Sequence, residues 1–524
     1  MQRMRKHSVD LIYLDPPFNS KRNYNLMYKT MTGMPVSEQV EAFCDTWEMD
    51  SEKEELAKKM PVLMREYGVE DYYVEFWRLW INALRHTQPN LLAYLIYMVQ
   101  RLLHMKSILR LTGSIYLHCD PTASHYIKIM MDGIFGHKNF QAEIIWQRTN
   151  ARGTTGRWPR LHDVILHYSA GEKFTFHPAR VKADARKMPH TLITGAGGEK
   201  YQTYEMTAPG TTKDGESGKP WRGFDPGSFG RHWANNHATM DGWDAAGLIH
   251  WPARNGFPRR RAAEPFDPES RQVVVGDVWT DIDRINQSAG ERLGYPTQKP
   301  IALLDRIITS SSNKGAVVFD PFCGCGTTIY SAVKNERKWI GCDIAILSIK
   351  LIREVLTGPK YRLVKDHHFD VSGIPVTVEQ AQELFKRDPF QFEHWLVERV
   401  GGFPTKKTGD KGIDGRMYFE TKGSLRSVVL SVKGGKLRPS DVRDLRGVLD
   451  RERDTEIAGF LSLQEPSKAM REEAASCGQY EYQDVAYDRM QLLTVHDILA
   501  DKREFKTPTK VGTRIATGQG SLAI

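Results

Sequence analysis

Cysteine is scarce, with six in 524 residues. That is too few for a disulfide framework in a chain of this length, so a reducing cytoplasm is the compartment expected. Long hydrophobic runs are missing too. The longest, Leu91 to Val99, falls well short of the roughly 20 residues that cross a bilayer and reads as part of a core helix. No signal peptide is visible, because the basic stretch Met1 to His7 leads directly into an apolar segment. Acid is in deficit: 64 Asp and Glu stand against 73 Lys and Arg, a net charge of +9. That balance suits a polyanionic partner, and equally an ordinary solvated surface. What remains is ample for folding. Hydrophobic residues make up 40% of a chain long enough for two or three domains.

Two short motifs carry the chemistry. The first is Asp15-Pro16-Pro17-Phe18, directly after the apolar run Val9 to Leu14. A strand that ends in a rigid acidic-proline turn suits work on an exocyclic amino group. Asp15 can accept one hydrogen bond from an –NH2, and a carbonyl of the proline turn, with no competing N–H, can accept the second. The nitrogen lone pair is thereby aimed outward, and Phe18 offers a face for a flipped base. The second motif lies about 300 residues later. The strand Val317 to Asp320 runs into Pro321-Phe322-Cys323-Gly324-Cys325-Gly326-Thr327-Thr328, then a helix from Ile329 to Val333, then the strand Lys338 to Asp343. Glycines let backbone approach a ligand at the carboxyl end of a parallel strand, and an acid closing the next strand can hold ribose hydroxyls. No phosphate-binding Lys-Ser/Thr pair follows the glycines, so a nucleoside without a polyphosphate fits better. Cys323, Cys325 and Cys342 sit at neighbouring strand ends, but their spacing lacks a zinc pattern and they read as small buried thiols.

From about residue 9 to 355 the chain resembles the amino-group DNA methyltransferases that use S-adenosylmethionine. Asp15 to Phe18 matches the family's catalytic motif, and Asp320 to Gly326 its cofactor loop. Tyr295-Pro296-Thr297-Gln298-Lys299-Pro300 matches the segment before the cofactor strand, with Tyr295 where His is usual. The catalytic motif precedes the cofactor motif, as in the family's beta arrangement. The resemblance implies a Rossmann-like α/β sheet and catalytic roles for Asp15, Pro16, Pro17 and Phe18. It also implies cofactor contacts from Asp320, Phe322 (near the methionine part), Gly324, Gly326, Thr327, Asp343 (on the ribose) and Lys299. The Asp-Pro-Pro-Phe spelling resembles adenine-N6 enzymes. Cytosine-N4 enzymes more often carry Ser at the first position and remain the alternative. Relatives carry a further strand and a Gly-Asp loop ahead of the catalytic strand, whereas eight residues precede Val9 here. A piece that helps to enclose the cofactor is thus expected to be missing.

The spacing predicts a helix over Tyr72 to His86 with Phe76, Trp77, Trp80 and Leu84 toward a core. An interruption at Pro89 and a second helical run from Leu91 follow. Gly113 to Asp120 and Glu143 to Trp146 read as strands and Ser124 to Phe135 as a helix. His118 and Asp120 fall at a strand's carboxyl end, where they either line the site or are ordinary strand-end groups. Asn19, Lys21, Arg22 and Asn23 read as a loop that holds nucleotide backbone or is simply solvated. These assignments make residues 1–146 the catalytic half and 291–365 the cofactor half. Between them, 147–290 loses periodicity. There Arg148, Arg152, Arg157, Arg160 and Arg259 to Arg261 mingle with Trp158, Trp221, Trp233, Trp243 and Trp251, just after Trp146. Such interleaving suits a DNA groove, and the resemblance places a target-recognition region here.

From 366 to 524 a further α/β domain is expected. Helices over Thr377 to Phe385 and Pro389 to Val400 precede Gly412-Ile413-Asp414-Gly415 and a strand Val428 to Lys433. This order resembles the Mrr-type PD-(D/E)xK endonucleases. It implies Asp414 as a Mg2+ ligand, Lys433 as the charge-stabilising lysine, and Glu393 or Glu398 as the helical acid. Ser431 occupies the place of a Glu or Gln, so an inactive DNA-binding remnant is weighed beside a nuclease.

The reading is a two-module enzyme on double-stranded DNA within a restriction-modification setting. A homodimer is compatible with it, and membrane association is not expected. One rival is a DNA-binding remnant with a decayed methylase core, favoured by the short N-terminus and Ser431 and opposed by the intact motifs. Another is an enzyme acting on RNA or on a protein amide.

Overall fold

Val9–Leu14 is an interior strand of a seven-stranded sheet whose order is Val278–Trp279, Phe140–Gln147, His162–Ser169, Leu109–Cys119, Val9–Leu14, Val317–Asp320, Lys338–Gly341. A computed structural model describes residues 4–515 of the chain except 17–22, 31–34, 45–46, 151–155, 157, 183–191, 196, 213–214, 253–255, 268–271, 287–288, 294, 296, 406–411, 422–423 and 510–512. Val9–Leu14 runs parallel to both neighbours, Leu109–Cys119 and Val317–Asp320. A central parallel strand is covered on both faces, so Val9, Leu11, Ile12 and Leu14 are all buried and the segment reads as a near-continuous apolar run. Its one interior acid is accounted for. Asp10 accepts the Val317 N–H (2.8 Å) through one oxygen and pairs with Arg110 (2.8 Å) through the other, tying the three strands together.

The helix Pro89–Ile108 packs against this sheet with most of its length buried, including Leu91 to Ile96. Pro89 opens that helix in its first turn, where a missing N–H is harmless, rather than interrupting it. The preceding helix, Asp71–Thr87, departs from expectation in its face. Val74, Trp77, Ile81 and Leu84 form the buried stripe, while Phe76 is 41% exposed and tilts onto Trp80. Positions 74, 77, 81 and 84 follow the helical repeat, and 76 falls on the flank. The helix Ser124–Phe135 and the strands Leu109–Cys119 and Phe140–Gln147 lie where expected. Asn23 begins a strand, Asn23–Thr30, instead of lying in a loop; Asn19, Lys21 and Arg22 lie outside the described residues.

The stretch 147–290 is less uniform than its composition implies. His162–Ser169 joins the main sheet, antiparallel to both neighbours, and Val278–Trp279 extends it. Only Pro178–Gly276 forms a compact unit of its own. That unit contains a four-stranded antiparallel sheet in the order Ile249–His250, Arg259–Arg261, Lys200–Glu205, Leu192–Thr194. Its core is Met206, Trp221, Trp233 and Met240. Trp221 and Trp233 are therefore packing residues rather than bases' stacking partners. The arginine run is likewise engaged within the unit. Arg259 donates to Thr203 (2.9 Å), Arg260 lies over the rings of Trp243 and Tyr204, and Arg261 over Tyr201. Trp146, in the main sheet, is buried and donates to the Ile282 carbonyl (2.8 Å). Trp158, 94% exposed, is the tryptophan whose ring stays open to a partner. Arg152 and Arg157 lie outside the described residues.

The C-terminal segment builds a five-stranded sheet, ordered Phe403–Pro404, Gly415–Thr421, Ser424–Lys433, Thr455–Ser462, Met490–Thr494. Alternation along Ser424–Lys433 sends Val428, Leu430 and Val432 to one face, against Phe392, Trp395 and Leu396. Val429 goes to the other, against Val442, Leu445 and Met470. Helices Val378–Arg387 and Pro389–Arg399 thus cover one face, Pro439–Arg451 and Lys468–Ala475 the other. The sheet has its own cores but belongs to the same compact unit as the seven-stranded sheet. One tie between them is Lys350, on helix Ile346–Thr357, donating to the Glu398 carbonyl (3.0 Å).

Candidate active site

Three adjacent parallel strands deliver three acids to the same end of the sheet. Asp15 follows Val9–Leu14, Asp320 closes Val317–Asp320, and Asp343 follows Lys338–Gly341. All three line one cavity of about 370 Å3. A crevice outside the carboxyl ends of parallel strands is where such folds bind ligands, and this volume suits a small organic molecule.

The glycine turn is held from below by two of these acids. Asp320 is buried and accepts the Phe322 N–H (3.0 Å) and the Thr328 hydroxyl (2.5 Å). Burial pushes its carboxyl up to about 7, partly offset by those hydrogen bonds. Asp343 accepts the Gly324 N–H and the Ala345 N–H, both at 2.8 Å, and burial raises it to about 6. Gly326 has φ +88°, and a Cβ there would stand 2.6 Å from Ile352 Cγ1, so no other residue fits without displacing the helix behind it. Gly324, at φ +48°, lies against the Tyr295 ring, which a Cβ would meet at 3.3 Å. Tyr295 acts as a buried wall of the cavity, its hydroxyl 3.4 Å from Ser348. Thr327 is buried in the first turn of helix Thr327–Lys334. The Phe322 ring faces Tyr97 at a centroid distance of 6.2 Å.

Asp15 is different in kind. One oxygen, Oδ2, receives the Lys299 ammonium. The other, Oδ1, is buried and has no hydrogen-bond partner. A buried acceptor without a hydrogen-bond partner is costly unless a donor is supplied to it. Lys299 is thus brought to the acid expected to be catalytic. Thr297 and Gln298 line the cavity with it, and Gln298 braces their segment by accepting the Leu293 N–H (2.7 Å) and donating to the Glu291 carbonyl (2.6 Å). Pro16 lines the same cavity, while Pro17 and Phe18 lie outside the described residues.

A scan of family profiles matches residues 9–354 to the N6/N4 DNA methylases. The chain belongs to that DNA methylase family. It is 32% identical over 265 residues to the Type II methyltransferase M.EcaI of Enterobacter cloacae, covering 50% of this chain and 56% of that one. It is 46% identical over 87 residues to the DNA adenine methyltransferase YhdJ of Escherichia coli K12, covering 17% and 29%. It is 25% identical over 370 residues to the Mod subunit of the Type III restriction-modification enzyme StyLTI of Salmonella typhimurium, covering 64% and 49%. The chain spans about half the length of M.EcaI and of that Mod subunit, and less of YhdJ.

Several residues of this methylase site carry no sequence signal of their own. Tyr13, two positions before Asp15, lines the cavity and meets His118 through its hydroxyl (2.9 Å). Burial, and next the charge of Asp15, hold its phenol well above the ordinary range. His118 continues to the buried Asp163 (3.2 Å), which also pairs with Arg148 (3.2 Å). Burial would raise Asp163, but the hydrogen bond and charge of His118, with Lys299 and Arg148, bring it below its usual value. His118 therefore stands behind the cavity wall, and Asp120 accepts from Thr122 (3.0 Å) instead of lining the site. Tyr97 and Arg101 enter from helix Pro89–Ile108. Their spacing of one helical turn was legible, but not which face would meet the cavity.

The acids expected for a nuclease do not assemble in the same way. Asp414 Oδ2 accepts the Val432 N–H (2.6 Å) and the Ser431 hydroxyl (3.2 Å), and Lys433 ends the same strand. Glu398 is half-buried beside Lys350, with its Oε2 buried and lacking a hydrogen-bond partner, and desolvation raises it to about 7. It faces the helix Ile346–Thr357, and so is not the helical acid of a metal site with Asp414. Glu393, on the same helix, is half-buried. Among the described residues no three Asp, Glu, His or Cys side chains gather closely enough to hold a metal ion. No helix among the described residues is long and apolar enough to cross a membrane.

Proposed function

We propose that this chain transfers a methyl group from S-adenosylmethionine to the N6 amine of adenine in DNA. The observation that carries this is the placement of Asp15, whose Oδ1 has no hydrogen-bond partner, on the wall of the same cavity as the glycine turn braced by Asp343. The residues fit the cofactor. Gly324 lines the cavity and leaves its backbone free of a side chain there, Gly326 lets the turn close against the helix behind it, and Asp343 retains lone pairs for ribose hydroxyls. When bound, S-adenosylmethionine supplies the electrophilic methyl group.

The chain's own residues do the rest by orientation. Asp15 Oδ1 and the Pro16 carbonyl accept hydrogen bonds from the two N–H groups of the amine, which leaves the nitrogen lone pair directed into the cavity. Lys299 fixes the other Asp15 oxygen, so the carboxylate cannot rotate away from the amine. Tyr13, Tyr97 and Phe322 wall the space and limit water. Once the nitrogen has become cationic it gives its proton to Asp15 and from there to solvent, so Asp15 need not be a strong base. No covalent enzyme intermediate is required.

Names of relatives support the biological setting: one is a DNA adenine methyltransferase, one a Type II methyltransferase and one a restriction-modification subunit. For the five-stranded C-terminal sheet the proposal is DNA binding without cleavage. Ser431 supplies no carboxylate beside Asp414, and Glu398 is turned toward Lys350.

The test is transfer of labelled methyl from S-adenosylmethionine to mixed-sequence unmethylated DNA, followed by nucleoside analysis. Label on adenine N6 supports the proposal. Label on cytosine N4 would move the base assignment, and label on RNA or protein alone would reject DNA as the substrate. Plasmid nicking with Mg2+ present would refute the non-cleaving role of the C-terminal sheet.

A further inference from the structure

Arg101 is a charge in the cavity that the reaction as described does not use. It sits one turn after Tyr97 on the buried helix Pro89–Ile108, and both side chains line the cavity. Its guanidinium carbon lies 3.2 Å from the centroid of the Tyr97 ring, and Nη1 donates to the Tyr97 carbonyl (2.9 Å). No carboxylate pairs with it among the described residues. Burial depresses its pKa, the mark of a cation short of counter-charge. An arginine does not relieve that by losing its proton, so an anion is the remaining remedy.

The geometry also says what kind of anion. The Tyr97 ring covers one flat face of the guanidinium. The N–H edge not bound to the Tyr97 carbonyl remains for a planar, two-oxygen acceptor. Tyr97 in turn faces Phe322 across 6.2 Å, which places Arg101 on the Phe322 side of the site. Lys299, the other cation on the wall, is already held by Asp15. We infer that Arg101 binds the carboxylate at the amino-acid end of the cofactor, in the cavity that Asp343 also lines. This rests on the S-adenosylmethionine reading above.

The experiment compares two ligands on the full chain by calorimetry. S-adenosylhomocysteine has the nucleoside and the carboxylate; 5′-methylthioadenosine has the nucleoside without it. In Arg101→Met, affinity for S-adenosylhomocysteine should fall ~10- to 100-fold, while affinity for 5′-methylthioadenosine stays within about twofold. Arg101→Lys, which keeps charge but loses the fork, should recover part of the loss. An unchanged affinity for S-adenosylhomocysteine would overturn the inference, including the case in which Arg101→Met weakens DNA binding instead. Equal loss for both ligands with no recovery in Arg101→Lys would show Arg101 to be a packing residue. Failure of the unaltered chain to bind either ligand would remove the cofactor reading itself, and this inference with it.

Discussion

Two sheets in this chain end in acids, and only one makes a cavity from them. In the seven-stranded sheet, Asp15, Asp320 and Asp343 leave adjacent parallel strands at the same edge and converge on one space. In the five-stranded sheet, Asp414 lies between antiparallel strands and closes on backbone and Ser431, while Glu398 comes from a helix face and turns toward Lys350. Parallel neighbours bring their carboxyl ends to the same side, so acids at those ends meet. An acid in an antiparallel turn and one on a helix meet only if packing arranges it. The contrast also shows how to tell a working acid from a bracing one. Asp320 has both oxygens engaged by the turn and helix that follow it, and Asp414 has Oδ2 engaged by the neighbouring strand, whereas Asp15 Oδ1 has no hydrogen-bond partner.

The comparison can be broken most directly at Asp15. Asp15→Ala should lower methyl transfer by roughly 100- to 1000-fold with the fold intact, as expected on losing a preorganised acceptor. A variant that keeps its rate would place the chemistry elsewhere. Gly326→Ala should be the next largest. It forces a side chain into φ +88° and onto Ile352, at a cost of about 1–3 kcal/mol, visible as a lower unfolding midpoint together with lost S-adenosylhomocysteine binding. An unaltered midpoint would mean that the turn relaxes freely.

Glu398 sharpens the comparison through pH. Its folded-state value is raised from 4.5 to about 7. The protonated acid is therefore favoured by folding, and that contribution is full below pH 4.5 and lost as pH rises through about 7. Glu398→Gln should remove this part of the pH dependence, at most about 3 kcal/mol across the window, when its stability curve is subtracted from the parent's. Coincident curves would show the carboxylate to be solvated or neutralised. The smallest effect is expected for Lys433→Ala. DNA affinity should fall a few-fold and its salt dependence slightly, with methyl transfer per bound complex unchanged. A variant that stopped methylation would join the two sheets in one mechanism.

Local order reveals a good part of this site. A run of apolar residues ending in Asp15, and another ending in Asp320 before two glycines, need only their own neighbours to be read as strand ends. The helix Ser124–Phe135 and the strands around Leu117, Ile145 and Val432 were legible for the same reason. The tryptophans of 178–276 were not. Composition cannot distinguish a ring that packs, such as Trp233, from one that waits for a partner, such as Trp158. His162–Ser169 was hidden as well, because Asp163 and His167 break its apolar run and are tolerated only through His118, Arg148 and Ser114.

By itself the chain order determined which acids exist, which strands carry them and which glycines the cofactor turn requires, since these follow from period, turn chemistry and φ. Tertiary structure alone decided that Lys299 would meet Asp15 across 284 residues, that Arg101 would face the cavity instead of solvent, and that Glu398 would lean on Lys350 instead of Asp414. A side chain's partner is chosen by the packing of distant elements, and no local pattern encodes which neighbour that packing will bring.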